Sequence, residues 1–232
     1  MIKNISNLGD AAVYCDFGSD VNEKINLNVI SYFNSLSKLI EERKIIGIDN
    51  IIPSYNKLII SFDLSLTNYL EIRTAILNIN VDNKISNNHK NIKIPVCCDD
   101  EFGLDFNRLS DKTKLSKEEI IELYLNKEYF CYMTGFIAGM PFLGDINKDI
   151  RCDRLETPRI KVPKGSVGIT EQFANIYTFE SPGGWNIIGN TPQKVFDPSN
   201  LEEPALIKPG DKVNFYQISK EDYLNWNEYY IF

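Results

Sequence analysis

Five basic side chains crowd one short stretch of this chain. Arg151, Arg154, Arg159, Lys161 and Lys164 lie between Ile150 and Gly165 against Asp153 and Glu156, in a protein of formal charge −7. A local positive field in an acidic chain suits an anionic small molecule or a phosphate. Pro158 and Pro163 would stiffen the loop that carries it; the alternative is a solvated loop with incidental charge. A second cluster is Ser181-Pro182-Gly183-Gly184-Trp185-Asn186-Ile187-Ile188-Gly189. Its paired glycines allow positive φ, close backbone approach to a ligand and an anion nest. A tight turn followed by a strand with Trp185 in the core accounts for the same residues. The third, Thr134 to Phe142, sets Gly135, Gly139 and Pro141 around Phe136 and Met140. It reads as a cavity wall or as a buried strand and turn.

Other chemistries lack raw material. His89 is the single histidine and sits in the polar run Asn87 to Asn91, which reads as an exposed loop. Ser-His-Asp and Cys-His mechanisms therefore have little to draw on. Cys15, Cys97, Cys98, Cys131 and Cys152 contain no CxxC pair and no zinc spacing. They read as small core-filling thiols of a reducing cytosol, and no metal site is expected. Neither GxxxxGK[ST] nor GxGxxG occurs, since Lys164-Gly165-Ser166 has the wrong order. Nucleotide binding by this chain alone has no motif behind it.

The elements that must position these clusters fall into two textures. Ala11 to Phe17 reads as a strand. Val21, Ile25, Val29, Tyr32, Phe33, Leu36, Leu39 and Ile40 recur at helical spacing and predict an amphipathic helix of about five turns. Ile45–Ile52 and Lys57–Asp63 are β-rich runs around the turn Pro53 to Asn56; Thr67 is a candidate cap for a second helix. With Ile92–Cys98 as a fourth strand, the order β-α-β-β-α-β is ferredoxin-like. Beyond residue 100, Ser116 and Glu119 form a capping box for another helix. Short runs then follow between Gly and Pro: Tyr129–Phe136, Gly165–Ile169, Phe173–Phe179, Trp185–Gly189 and Lys212–Ile218. These predict a compact β-barrel or sandwich. The expectation is an α+β protein: an N-terminal ferredoxin-like α/β domain over 1–100 and a β-barrel domain over 101–232.

Length and composition agree with ordinary globular architecture. The chain has 232 residues, 43% hydrophobic and 25% charged. A chain of that size buries roughly 70% of its unfolded surface and needs no staple. The acidic balance argues against a nucleic-acid partner, which requires a dominant basic face. Met1 to Asp16 has no apolar signal core. The longest uncharged stretch, Tyr129 to Gly144, is shorter than the about 20 residues of a spanning helix and is broken by Gly and Pro. A cytoplasmic protein without a membrane partner is expected.

Taken together, the clusters resemble a known family, the bacterial B subunits of ATP-dependent 5-oxoprolinase. The family is also known as allophanate hydrolase subunit 1 and as inhibitors of a sporulation histidine kinase. The resemblance spans nearly the whole chain. Gly9-Asp10-Ala11-Ala12-Val13 with Phe17-Gly18, Pro53-Ser54-Tyr55, and Ile94-Pro95-Val96-Cys97 with Phe102-Gly103 and Asp105 are similar to its earlier landmarks. The specific match is Thr157-Pro158-Arg159, Val162-Pro163, Gly165 to Ile169, Ser181 to Trp185, Ile188-Gly189 and Thr191-Pro192.

That resemblance implies a cyclophilin-like barrel for the C-terminal domain. It implies subunits A and C as partners, and ATP, with Mg2+ accompanying it, as co-substrate for opening 5-oxoproline to glutamate. A lactam is a poor electrophile, and phosphorylation of its oxygen would activate the ring carbon. By transfer onto matching positions, Arg159 faces an anionic substrate or phosphate. Ser166, Gly183, Gly184 and Phe136 line the pocket and Trp185 supports it. Arg159→Ala is then expected to reduce turnover strongly and leave folding nearly unchanged. Inhibition of a histidine kinase, or an accessory role in allophanate hydrolysis, is the alternative that the resemblance implies. The chain departs from the family pattern at Tyr124 (usually His), at Ala138 and Met140 (usually Pro and Phe) and at Asn190 (usually Arg). It also carries Cys152-Asp153-Arg154 for Thr-Pro-Arg and Phe173-Ala174-Asn175 for Gln-Thr-Gly. Several of these are expected near the pocket.

Overall fold

A computed structural model describes residues 2–81 and 89–226. The chain forms two compact units, Met1–His89 and Lys90–Phe232. In the first, strands β1 (Asn4–Asn7), β2 (Ala12–Asp16), β3 (Ile48–Pro53) and β4 (Lys57–Phe62) form an antiparallel sheet of order β1-β2-β4-β3. Helices α1 (Glu23–Glu41) and α2 (Tyr69–Asn78) complete this unit. Val13, Cys15, Val29, Leu36, Leu58, Ile60, Ile72 and Ile76 share its core. The predicted long helix and the three strands are all present.

Two expectations change here. The strand assigned as the fourth of a ferredoxin-like domain, β5 (Asn91–Val96), pairs in parallel with β13 (Lys212–Gln217) in the second unit. Its inner half, Ile94 to Cys98, is fully buried and belongs to the core of that unit. The fourth strand of the first sheet is instead β1, whose sequence Asn-Ile-Ser-Asn carries too little apolar pattern to announce a strand. The cap of α2 is Asn68, which accepts from the Glu71 N–H at 3.1 Å, while the Thr67 hydroxyl donates to the Glu71 carboxylate at 2.9 Å. Both residues are capping types.

The second unit is built on a curled seven-stranded sheet. It adds α3 (Phe106–Thr113), α4 (Lys117–Leu125), β6 (Glu128–Thr134), β7 (Pro141–Gly144), β8 (Arg159–Val162), β9 (Ser166–Thr170), β10 (Phe173–Ile176), β11 (Ser181–Gly183), β12 (Asn186–Asn190) and α5 (Lys220–Leu224). The sheet order is β12-β9-β10-β7-β6-β13-β5, and β8 pairs with β11 apart from it. Its two outer strands meet where Cys97 and Asn190 exchange backbone hydrogen bonds of 2.9 and 3.0 Å. Ser116 and Glu119 make the predicted capping box at the start of α4.

Alternation gives this sheet two different faces. Val167, Ile169, Ala174, Ile176, Leu143 and Cys131 face the main core, which also takes side chains from α3 and α4. Their neighbours in sequence turn the other way. Phe142, Asn175, Gly168 and Ile187 follow one another across β7, β10, β9 and β12 in direct register. That second face carries a smaller cluster of Met140, Val162, Tyr177 and Ile187. The candidate site forms there.

Candidate functional site

Asp105, the residue before α3, anchors the site. Its carboxylate accepts from the Ile187 N–H on β12 at 2.7 Å, and its own N–H donates to the Ile187 carbonyl at 3.0 Å. The second carboxylate oxygen takes the Arg159 Nη2 at 2.7 Å. Asp105 is buried, so the guanidinium of Arg159 neutralises a charge that would otherwise be costly to bury. Arg159 is thus part of the fold as well as of the site, which changes the expectation that its removal spares the fold.

One nitrogen of that guanidinium is left over. Arg159 Nη1 is buried and has no hydrogen-bond partner. Asn175 on β10 is likewise fully buried, and neither its Oδ1 nor its Nδ2 has a partner at hydrogen-bond geometry. The Tyr177 hydroxyl approaches it without reaching that geometry. A buried polar group without a partner costs about 1–3 kcal/mol, so each of these atoms demands an explanation. Burial pushes the Tyr177 phenol up, while Asn175, Arg154, the Trp185 backbone and Arg159 act in the opposite direction.

The paired glycines serve close approach. Neither Gly183 nor Gly184 has positive φ, so the anion-nest alternative is not the one adopted. A Cβ at Gly183 would overlap the Tyr177 hydroxyl and lie 2.8 Å from its Cζ. A Cβ at Gly184 would meet Pro158 and the Arg154 guanidinium at 3.5–3.6 Å. Gly168 plays the same part opposite Asn175, where a Cβ would stand 2.7 Å from Oδ1. Trp185 is buried and its ring meets Phe142 edge-on at 5.6 Å.

The basic stretch does not act as one patch. The Arg154 guanidinium lies against Gly184 and Arg159 holds Asp105, whereas Lys161 pairs with Glu180 at 2.9 Å and Arg151 donates to the Ile146 carbonyl. Lys164 is exposed. A neighbouring network fixes the loop that bears Arg154. Arg108 Nη1 donates to the Asn186 side-chain oxygen, to Cys152 Sγ at 2.9 Å and to the Asp153 carbonyl at 3.1 Å. Asn186 Nδ2 donates to the carbonyls of Asp153 and Ile169 at 3.0 and 3.1 Å.

Of the residues expected at the site, Arg159, Gly183, Gly184 and Trp185 come together around Tyr177. Ser166 is buried on β9, where its carbonyl accepts from the Tyr177 N–H at 2.9 Å. Phe136 occupies the turn between β6 and β7 with φ +67° and is 66% exposed, outside the buried cluster. Several departures from the family pattern are structural. Tyr124 is buried in the main core against Tyr129 and Phe215, and Met140 is core of the smaller cluster. The Ala138 carbonyl accepts from the Thr178 hydroxyl at 2.7 Å. Asn190 accepts from the Tyr223 hydroxyl at 2.9 Å and donates to the Lys164 carbonyl at 2.9 Å. Sequence reasoning missed Asp105, Arg108, Tyr177 and Asn186 as site-builders and met Asn175 only as a departure. An Asn in a run of apolar strand residues was the available signal.

Among the described residues no three His, Cys, Asp or Glu side chains gather as a metal-binding group. Asp105, the buried carboxylate of the site, is committed to Arg159 and β12. No helix among the described residues is long and apolar enough to cross a membrane.

Comparisons with known proteins place this geometry in a family. Residues 3–207 match the carboxyltransferase domain, subdomain C and D. The chain is 35% identical over 240 residues to the 5-oxoprolinase B subunit of Bacillus subtilis (strain 168), covering 97% of this chain and 96% of that one. It is 22% identical over 245 residues to the urea amidolyase of Saccharomyces cerevisiae, covering 92% of this chain but only 13% of that protein. The crystal structure of TTHA0988 superposes with a TM-score of 0.79 at 27% identity, covering 90% of this chain and 40% of that one. The chain therefore belongs to the family of carboxyltransferase domain subdomains C and D, together with the B subunits of 5-oxoprolinase.

Proposed function

We propose that this chain is the B subunit of an ATP-dependent 5-oxoprolinase that works with subunits A and C in the cytoplasm to open 5-oxoproline to glutamate. The end-to-end similarity to the Bacillus subtilis 5-oxoprolinase B subunit carries the reading. The chemistry of the second unit, in this reading a cyclophilin-like barrel, is compatible with it. Arg159 offers a buried N–H to an anion, Tyr177 and Asn175 offer polar groups beside it, and Trp185 with Phe142 closes the apolar side. Ser166, Gly183 and Gly184 shape the wall. In this reading ATP, with Mg2+ accompanying it, is taken up together with the partner subunits.

The test is reconstitution with subunits A and C, following ADP and glutamate release from 5-oxoproline. Coupled release of both supports the reading, and a folded ternary mixture without ATP turnover rejects it. The similarity to a urea amidolyase favours one second reading, an accessory role in allophanate hydrolysis. Substituting allophanate for 5-oxoproline in the same assay separates the two. Inhibition of histidine-kinase autophosphorylation by the chain alone, without turnover in the mixture, would assign it a regulatory role instead.

A further inference from the structure

Of the five basic side chains between Ile150 and Gly165, three are engaged by the protein itself: Arg151 by the Ile146 carbonyl, Arg159 by Asp105 and Lys161 by Glu180. Lys164 is a point charge on a flexible stem. Arg154 is exposed, and its guanidinium makes no hydrogen bond or ion pair among the described residues. Its place is nevertheless fixed. A Cβ at Gly184 would meet its Nε and Nη2 at 3.6 Å, so the guanidinium rests on that glycine. Residues 151–158 form neither helix nor strand, yet the backbone there is tied down at successive positions. The Cys152 carbonyl accepts from the Glu171 N–H at 2.7 Å, and the Leu155 N–H donates to the Gly184 carbonyl at 2.7 Å. Arg108 on α3 supplies the ties between them. Besides the Nη1 contacts to Asn186, Cys152 and the Asp153 carbonyl, its Nη2 donates to the Asp153 carboxylate at 3.2 Å and to the Arg154 carbonyl at 3.3 Å. Where the family pattern has a proline to stiffen this loop, the chain has Asp153 held by Arg108; Arg154 itself keeps the family residue.

A guanidinium presents its N–H groups in a planar fork that matches a carboxylate or a phosphoryl group. Held in advance on a tied loop, it loses less freedom when it takes that ligand. The same fork suits Arg108 to the tying role, because it reaches acceptors on Cys152, Asp153, Arg154 and Asn186 at once. We propose that Arg154 binds the oxyanion of a substrate, the carboxylate of 5-oxoproline or a phosphoryl group of ATP, and that Arg108 is the positioning residue that holds it ready. This assignment rests on the 5-oxoproline reading. It adds a cation that a ligand reaches from solvent, unlike the buried Nη1 of Arg159.

The experiment uses the full chain, alone and in the mixture with subunits A and C. L-5-oxoproline and inorganic phosphate are titrated onto the chain by calorimetry, and KM for 5-oxoproline and for ATP is measured in the mixture. Arg154→Gln should weaken the probe that binds and raise the matching KM tenfold or more, with an unchanged thermal midpoint. Arg154→Lys should recover part of the loss. A rise confined to 5-oxoproline makes the oxyanion its carboxylate, and a rise confined to ATP makes it a phosphoryl group. Arg108→Lys should raise that same KM at least threefold, and change it no further in an Arg154→Gln background. Asp153→Ala removes one tie only and repeats this comparison if the Arg108 variant does not fold. Wild-type binding and wild-type KM values in Arg154→Gln overturn the assignment. Equal effects of Arg108→Lys in both backgrounds make its role merely structural and remove the positioning. Normal turnover indifferent to Arg154 rejects this inference alone. Probe binding that needs Arg154, without turnover in the ternary mixture, rejects the enzyme reading alone. If the wild type neither binds the probes nor turns over 5-oxoproline, both fall.

Discussion

Arg159 on β8 holds the carboxylate of Asp105 at 2.7 Å, and through that carboxylate it is tied to the backbone of β12. One guanidinium nitrogen serves the fold, and the other, Nη1, is buried without a hydrogen-bond partner. The strands that frame the site are therefore joined by the residue that would contact an anion.

Removing that guanidinium has two consequences. Arg159→Ala leaves the Asp105 carboxylate buried without its cation. A fully buried pair broken in this way costs about 3–5 kcal/mol, and the 28% exposure of Arg159 lets water relieve part of it, so a loss of roughly 2 kcal/mol is expected. Arg159→Ala with Asp105→Asn removes the stranded charge but keeps an oxygen for the Ile187 N–H. The double variant should recover at least half of the lost stability in urea unfolding while ligand binding stays weak. Equal stability of the wild type and Arg159→Ala would show that the pair contributes nothing.

Gly183 tests whether the glycines serve close approach. Gly183→Ala puts a methyl group onto the Tyr177 hydroxyl, and overpacking of that kind costs about 1–3 kcal/mol. Combining it with Tyr177→Phe removes the oxygen but leaves ring carbons 2.8–2.9 Å from the new Cβ, so rescue should be partial. The denaturation midpoints of the three variants are the measurement. Full tolerance of Gly183→Ala would place the Tyr177 ring elsewhere.

Buried acids set the alkaline limit of stability. Burial raises the Cys98 thiol from 9.0 to about 12, raises Cys131 as well, and pushes the Tyr124 and Tyr129 phenols upward. A raised folded pKa means that the folded state keeps a proton the unfolded chain releases. The stability linked to Cys98 is then complete below pH 9 and is lost as pH climbs from about 9 toward 12. The phenols add to the loss above their ordinary 10.0. Thermal midpoints should be flat through neutral pH and fall steadily above 9. Thiol labelling at pH 8 should be slow until denaturant is added. Rapid labelling of folded protein would contradict this burial.

The sequence made the elements legible where pattern and packing agree. Helix α1 and the Ser116–Glu119 capping box follow from apolar spacing and side-chain chemistry that act within a few residues. Strand pairing is different, because the partner is chosen by the whole sheet. Ile92–Cys98 looks like a strand in any fold, and only its parallel ladder with β13, more than a hundred residues on, decides where it belongs. The site divides in the same way. Arg159, Gly183, Gly184 and Trp185 stand in recognisable motifs, whereas Asp105 and Asn175 acquire their meaning from contacts across strands. The fate of Tyr124, which is core and not pocket, likewise depends on Tyr129 and Phe215.

Phe136 separates a role in folding from a role in assembly. It holds φ +67° at the turn between β6 and β7 and is 66% exposed. A left-handed conformation costs a side-chain-bearing residue roughly 1–2 kcal/mol. Glycine there removes that strain but enlarges the unfolded ensemble by about 0.5–1 kcal/mol. Phe136→Gly should therefore range from no change to about 1.5 kcal/mol more stable. Met140, at the far side of the same turn, is already buried core, so the Phe136 ring is the apolar group that this turn offers outward. If a partner subunit covers it, as the 5-oxoprolinase reading expects, Phe136→Gly should weaken the complex tenfold or more in size-exclusion light scattering. A stable variant with wild-type assembly would take the ring out of the interface and leave the turn geometry as its sole consequence.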